Sequence, residues 1–133
     1  MNQTFGTWNI IFGWLWINIG FILGMVMGMR FKDPNWLGGY GSWERRMLRL
    51  SHVAFIFLSL LNVIYGHELG NIQLSDIWKQ IGSIFAIIGA IGIPLLTFIA
   101  VKYKKILYWL AIPVISLTLS TLILGIGYLT NIS

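Results

Sequence analysis

The chain has no cysteine, which removes a disulfide framework, thiolate zinc sites, iron–sulfur clusters and thiol nucleophiles from consideration. Charge is nearly as scarce, with nine Lys or Arg and four Asp or Glu in 133 residues. All four acids sit at the edges of apolar runs, so paired carboxylates for acid–base catalysis have nowhere to assemble between helices. Nor does any run contain an Asp or Glu that would carry protons across a membrane. Polar surface is too sparse to cover a folded domain in water, and a hydrophobic content of 57% excludes a disordered chain. No basic segment precedes the first apolar run. The first cation is Arg30, so the sequence predicts a retained helix there and not a cleaved signal peptide.

The few charges are informative by position. They fall in windows 30–49, 68–79 and 102–105, and leave charge-free stretches of 29, 18, 22 and 28 residues. A hydrocarbon core of ~30 Å is crossed by about 20 apolar residues in helical form. The expectation is a single all-α integral membrane domain over residues 1–133, with four antiparallel transmembrane helices in a small bundle. The spans are placed at 7–29, 47–66, 79–101 and 106–129, with a loop at 30–46. Eight of the nine cations lie in the first and third connections, Lys79 being the exception. The positive-inside bias then puts those two connections in the cytoplasm and both termini on the outer side of the cell (cytoplasmic or inner) membrane. The net charge of +5 is accounted for by topology, and the expected surroundings are a lipid bilayer and no nucleic acid.

Small residues recur at helical spacing. Gly20, Gly24 and Gly28 mark one packing face, and Gly82, Ala86 and Gly89 another. Such faces let helix backbones approach closely in lipid, within the bundle or against other membrane subunits or a second copy. The first connection has the most individual composition. Asp33-Pro34-Asn35 is turn chemistry, Ser42 is a helix N-cap, and Glu44 complements the dipole of the helix that follows. Its glycines lack the Gly-Lys-Ser/Thr ending of a nucleotide-binding loop. Arg45, Arg46 and Arg49 are candidate contacts to acidic lipid headgroups, at ~1 kcal/mol each. Pro94 and Pro113 lie equally far from the third connection, ~12 Å by the helical rise of about 1.5 Å per residue. Both are expected to kink their helices, with Ser116, Ser120 and Thr121 available to freed carbonyls or to neighbouring helices.

Chemistry, if present, centres on the second span. At about 100° per residue, Arg45, Arg49, His52, Ser59, Asn62 and Gly66 share a sector ~140° wide, a polar stripe expected to face the interior. His52 is the candidate metal ligand. A haem b group would take His52 with Met25 or Met29 as axial ligands, or His52 from each of two copies, with Arg45 and Arg49 near its propionates and Ser59 and Asn62 lining the site; a quinone would use the same residues. His67 lies ~22 Å from His52 along the helix and cannot share the iron. Three functions follow as expectations. The foremost is a non-catalytic packing or assembly subunit of a larger membrane complex, of the electron-transfer or respiratory kind. The others are a haem- or quinone-binding module and a small oligomeric channel or transporter.

Overall fold

A computed structural model describes the backbone of residues 4–132 and the side chains of residues 6–131. Four long helices account for most of it: α1 (Thr4–Arg30), α2 (Trp43–Glu68), α3 (Asp76–Ile99) and α4 (Ala111–Ile132), with no strand among the described residues. All four are long and apolar enough to cross a membrane. The terminal residues Met1 and Ser133 lie outside the described residues.

Local chemistry sets the boundaries. α2 begins four residues earlier than the expected span, because the Ser42 side chain accepts a hydrogen bond from the Arg45 amide (3.2 Å) and Glu44 occupies the first turn. Ahead of it, the Asp33 carboxylate accepts from the Asn35 amide (2.9 Å), closing the turn read from Asp-Pro-Asn. Three consecutive residues then take left-handed backbone: Leu37 (φ 52°), Gly38 (φ 79°) and Gly39 (φ 92°). The glycines adopt it freely, whereas a leucine there is strained. The fourth span does not start as an α-helix. Lys104–Leu110 is wound as a 3-10 helix and α4 follows directly, with Pro113 in its first turn. A proline ring clashes with the carbonyl four residues back, so the turn before Pro113 tightens where a mid-span kink had been expected.

α1 packs along α2, α2 along α3, and α4 rests chiefly on α3. The α1–α2 seam runs through glycines. A methyl at Gly6 would collide with the Gly66 carbonyl, and one at Gly66 with the Gly6 carbonyl. Further along, a methyl at Gly13 would stand 2.5 Å from the Ser59 oxygen, one at Gly20 2.7 Å from Ile56, and one at Gly24 2.5 Å from the His52 ring. Backbones this close gain dispersion contacts along their whole length. Against α4, Gly89 faces Leu117 and Gly92 faces the Pro113 ring. Tyr65, Leu69, Ile72 and Ala86 form one buried apolar cluster, and Ala54, Leu58 and Ala90 another.

Candidate functional site

Several polar side chains of the other helices converge on α3. Six of its main-chain carbonyls, including that of its C-cap Ala100, receive side-chain donors from the other three helices. Asn9 Nδ2 of α1 donates to the Ser83 carbonyl (3.3 Å), and Trp16 Nε1 of α1 to Ala90 (3.0 Å). From α2, Asn62 Nδ2 donates to Ala86 (3.2 Å), Ser51 Oγ to Pro94 (2.8 Å) and Trp43 Nε1 to Ala100 (2.8 Å). α4 contributes Ser116 Oγ to Phe85 (3.0 Å).

The Ala90 bond has a specific cause. In a regular helix the Ala90 carbonyl would accept the amide of residue 94, but Pro94 has no N–H. The Trp16 indole takes its place, held by Phe12 (centroids 5.4 Å apart) and Phe55 (5.5 Å). Hydroxyls of the fourth span are the donors that the sequence offers to carbonyls freed by the prolines. At Pro94 the freed carbonyl is instead filled by a side chain from α1.

A second knot joins three helices. Asn9 Nδ2 donates to Asn62 Oδ1 (2.9 Å), and Ser83 Oγ donates to Asn9 Oδ1. Asn62 also donates to the carbonyl of Leu58 on its own helix (3.0 Å). All three side chains are buried. Nearby, the Tyr65 hydroxyl donates to the Ser120 carbonyl (3.0 Å) and ties α2 to α4. Among the described residues, no buried side-chain nitrogen or oxygen lacks a partner.

The residues singled out in the sequence are not brought to one place. His52 lies in the α1–α2 seam with its ring over Gly24, and Nδ1 is 2.9 Å from the Gly20 carbonyl. A carbonyl only accepts, so Nδ1 carries the proton. Ser59 is buried and donates to its own Phe55 carbonyl (2.6 Å), while Asn62 belongs to the knot with Asn9. Met25 is on the outward face of α1, 60% exposed. Arg45 is 4% exposed and is occupied by the loop. Its guanidinium donates to the carbonyls of Asp33 (2.6 Å), Pro34 (3.2 Å) and Trp36, and sits against the Phe31 and Trp36 rings. Arg49 stacks on Tyr40 (4.4 Å) and donates to its carbonyl (3.3 Å); Arg46 is exposed. Met25, His52 and the arginines thus do not line a common haem pocket, and no cluster of three or more metal-ligating side chains occurs among the described residues.

Of the packing residues, Gly20 and Gly24 face α2, Gly82 faces the Tyr65 hydroxyl, Gly89 faces α4, and Ala86 is buried in the core. Gly28 is exposed, with nothing within 4 Å of where a methyl would stand, so it lies beyond the seam. The polar stripe of α2 divides between two neighbours: His52, Ser59 and Gly66 serve α1, and Asn62 reaches both α1 and α3. Asn9, Trp16, Ser51 and Ser83 were not anticipated. An asparagine inside the charge-free stretch 1–29 was the available signal for Asn9, one that it shares with Asn18. No protein-family model, curated protein or solved structure matches the chain.

Proposed function

We propose that the chain is a multi-pass protein of the cell membrane, with antiparallel spans, whose role is to pack within a larger membrane complex and not to catalyse a reaction. The observation that carries this reading is the use of its polar side chains. Asn9, Trp16, Trp43, Ser51, Asn62, Ser83 and Ser116 are all engaged in bonds between helices. Polar groups within a span more often mark substrate or ion paths, and here they serve as fastenings.

The surface supports the membrane setting. Its outward side chains include Trp14, Leu15, Phe57, Ile64, Leu122 and Leu129, an apolar cover unsuited to water. Exposed tryptophans and tyrosines other than Trp14 gather toward both ends, Trp8, Trp78 and Tyr128 at one and Tyr40, Tyr103, Tyr108 and Trp109 at the other, as side chains with a preference for the bilayer interface do. Arg30, Lys32, Arg46, Lys102, Lys104 and Lys105 are exposed at the second of these ends, which the positive-inside bias assigns to the cytoplasm. Arg46 and these lysines remain available to acidic headgroups, whereas Arg45 is committed to the loop.

Blue-native electrophoresis of gently solubilised native membranes tests the role. Migration in an assembly well above the 15.1 kDa chain is expected, and migration as a free monomer alone would overturn the reading. Orientation is checked by fusing a reporter active only outside the cytoplasm after Ser133. Activity is expected; its absence, together with activity of a cytoplasmic reporter, would reverse the topology.

A further inference from the structure

Asn18 departs from the pattern of inward polar groups, as do Thr118 and Thr121 of α4, whose hydroxyls donate to carbonyls of their own helix. Asn18 lies near the middle of α1 and is exposed, and its Nδ2 donates only to carbonyls of its own helix, Trp14 (2.7 Å) and Leu15 (3.3 Å). Oδ1 accepts no bond from any described residue. By helical angle Asn18 is opposite Asn9, Gly13, Gly20 and Met27, four of the buried positions of α1; Gly6 and Ile17 are buried as well. Its neighbours on the outward face are Ile11, Leu15, Ile22, Met25 and Met29, each at least 45% exposed. If α1 spans a bilayer, as proposed above, an amide oxygen stands near mid-membrane on a hydrocarbon face, where water cannot satisfy it.

The spacing says what would cover it. Ile11, Asn18 and Met25 are seven residues apart, and Leu15, Ile22 and Met29 repeat the interval alongside them. This is the seam of a helix pair, with one asparagine at a core position, an arrangement that fixes register and partner number in coiled coils. An amide is both donor and acceptor. Two copies inserted in the same orientation would bring Asn18 against Asn18 across a two-fold axis, each amide keeping its short bond to Trp14, giving up the longer one to Leu15 and donating that hydrogen to the other's oxygen. We propose that the outward face of α1, centred on Asn18, is the contact between two copies of this chain. The proposal rests on the membrane-subunit reading and names one interface within it. The glycine stripe expected to make such a seam is taken up inside the bundle by α2.

The absence of cysteine makes the test direct. In native membranes, Met25→Cys should form a disulfide-linked dimer under mild oxidation, whereas Ile64→Cys, on the outward face of α2, should not. Adding Asn18→Leu to Met25→Cys should lower the dimer yield at low protein-to-lipid ratio roughly 3- to 30-fold, equivalent to about 0.6–2 kcal/mol. Asn18→Gln should keep most of it. The Asn18 side chain is exposed, so Asn18→Leu should leave thermal unfolding in detergent unchanged and loss of fold would not mimic the effect. Cross-linking no greater than for Ile64→Cys, a yield indifferent to Asn18→Leu, or linkage to a different polypeptide would each overturn the proposal. Should the large native assembly persist in any of those cases, the subunit reading survives alone. A specific cross-link with no species larger than the dimer leaves the interface standing and removes the larger complex.

Discussion

The bond from Trp16 to the Ala90 carbonyl gives a quantitative test of how the bundle is held together. Trp16→Phe keeps an aromatic ring between Phe12 and Phe55 but removes the indole N–H that is 3.0 Å from the carbonyl freed by Pro94. A buried carbonyl deprived of its only donor costs about 1–3 kcal/mol. The smaller ring adds a packing loss of order 1 kcal/mol. The carbonyl term depends on the proline, because restoring an N–H at position 94 returns the ordinary helical donor to Ala90. Trp16→Phe should therefore cost about 2–4 kcal/mol in the native chain but only the packing part in a Pro94→Ala background, a coupling of about 1–3 kcal/mol. Unfolding of the purified protein in mixed micelles, titrated with denaturing detergent and followed by tryptophan fluorescence, measures all four corners of the cycle. The other six tryptophans retain the signal. Equal costs in both backgrounds, within about 0.3 kcal/mol, would refute the claim that the indole substitutes for the missing amide.

Gly66→Ala sets a methyl against the Gly6 carbonyl and should destabilise by about 3 kcal/mol or more, whereas Gly28→Ala and Gly125→Ala meet open space and should stabilise by up to about 1 kcal/mol in the same assay. Gly24→Leu must displace the His52 ring and should separate α1 from α2, visible as faster proteolysis of the connection between them; unchanged cleavage would show that the seam lies elsewhere. Asn62→Leu strands the Asn9 amide and should cost about 2–3 kcal/mol, and the double variant Asn9→Leu/Asn62→Leu should cost less than the sum of the two single variants. Purified protein should show no Soret absorption, and a band abolished by His52→Ala would reinstate the haem reading.

The spans were legible because hydrophobic length is a property of consecutive residues, and four charge-free stretches are visible without knowing any contact. Ser42 and the Asp33 turn were legible for a related reason: caps and turns are local chemistry. The site residues were harder, since a stripe on one helix does not name the neighbour it meets. Arg45 illustrates the difficulty. Its position beside a glycine-rich loop at the membrane edge suited a headgroup contact, yet the left-handed run Leu37–Gly39 folds the loop so that three carbonyls point at the guanidinium. Met25 and His52 share a depth but not a face, and helical angle on each helix separately does not show that.

Both helix prolines sit in contact with another helix, and this links their backbone chemistry to the packing. Pro94 deprives Ala90 of a donor on the side that Trp16 approaches, and its own carbonyl accepts Ser51 from α2 and Thr97 from its own helix (3.0 Å). Pro113 rests on Gly92, where only a glycine leaves room for the ring. A helix with all its carbonyls bonded internally offers few strong acceptors to its neighbours, so partners would be told apart by shape alone. Freeing one carbonyl, and aiming side chains from α1, α2 and α4 at five more, makes α3 a helix with a distinct acceptor at each level. A one-residue rotation of α1 would carry Trp16 away from Ala90 and Asn9 away from Ser83 together. Register is then set by hydrogen bonds in a setting where apolar side chains gain nothing by leaving lipid for one another. That division of labour places the specificity of the fold inside the bundle and leaves Asn18 as the polar group facing outward from the middle of α1.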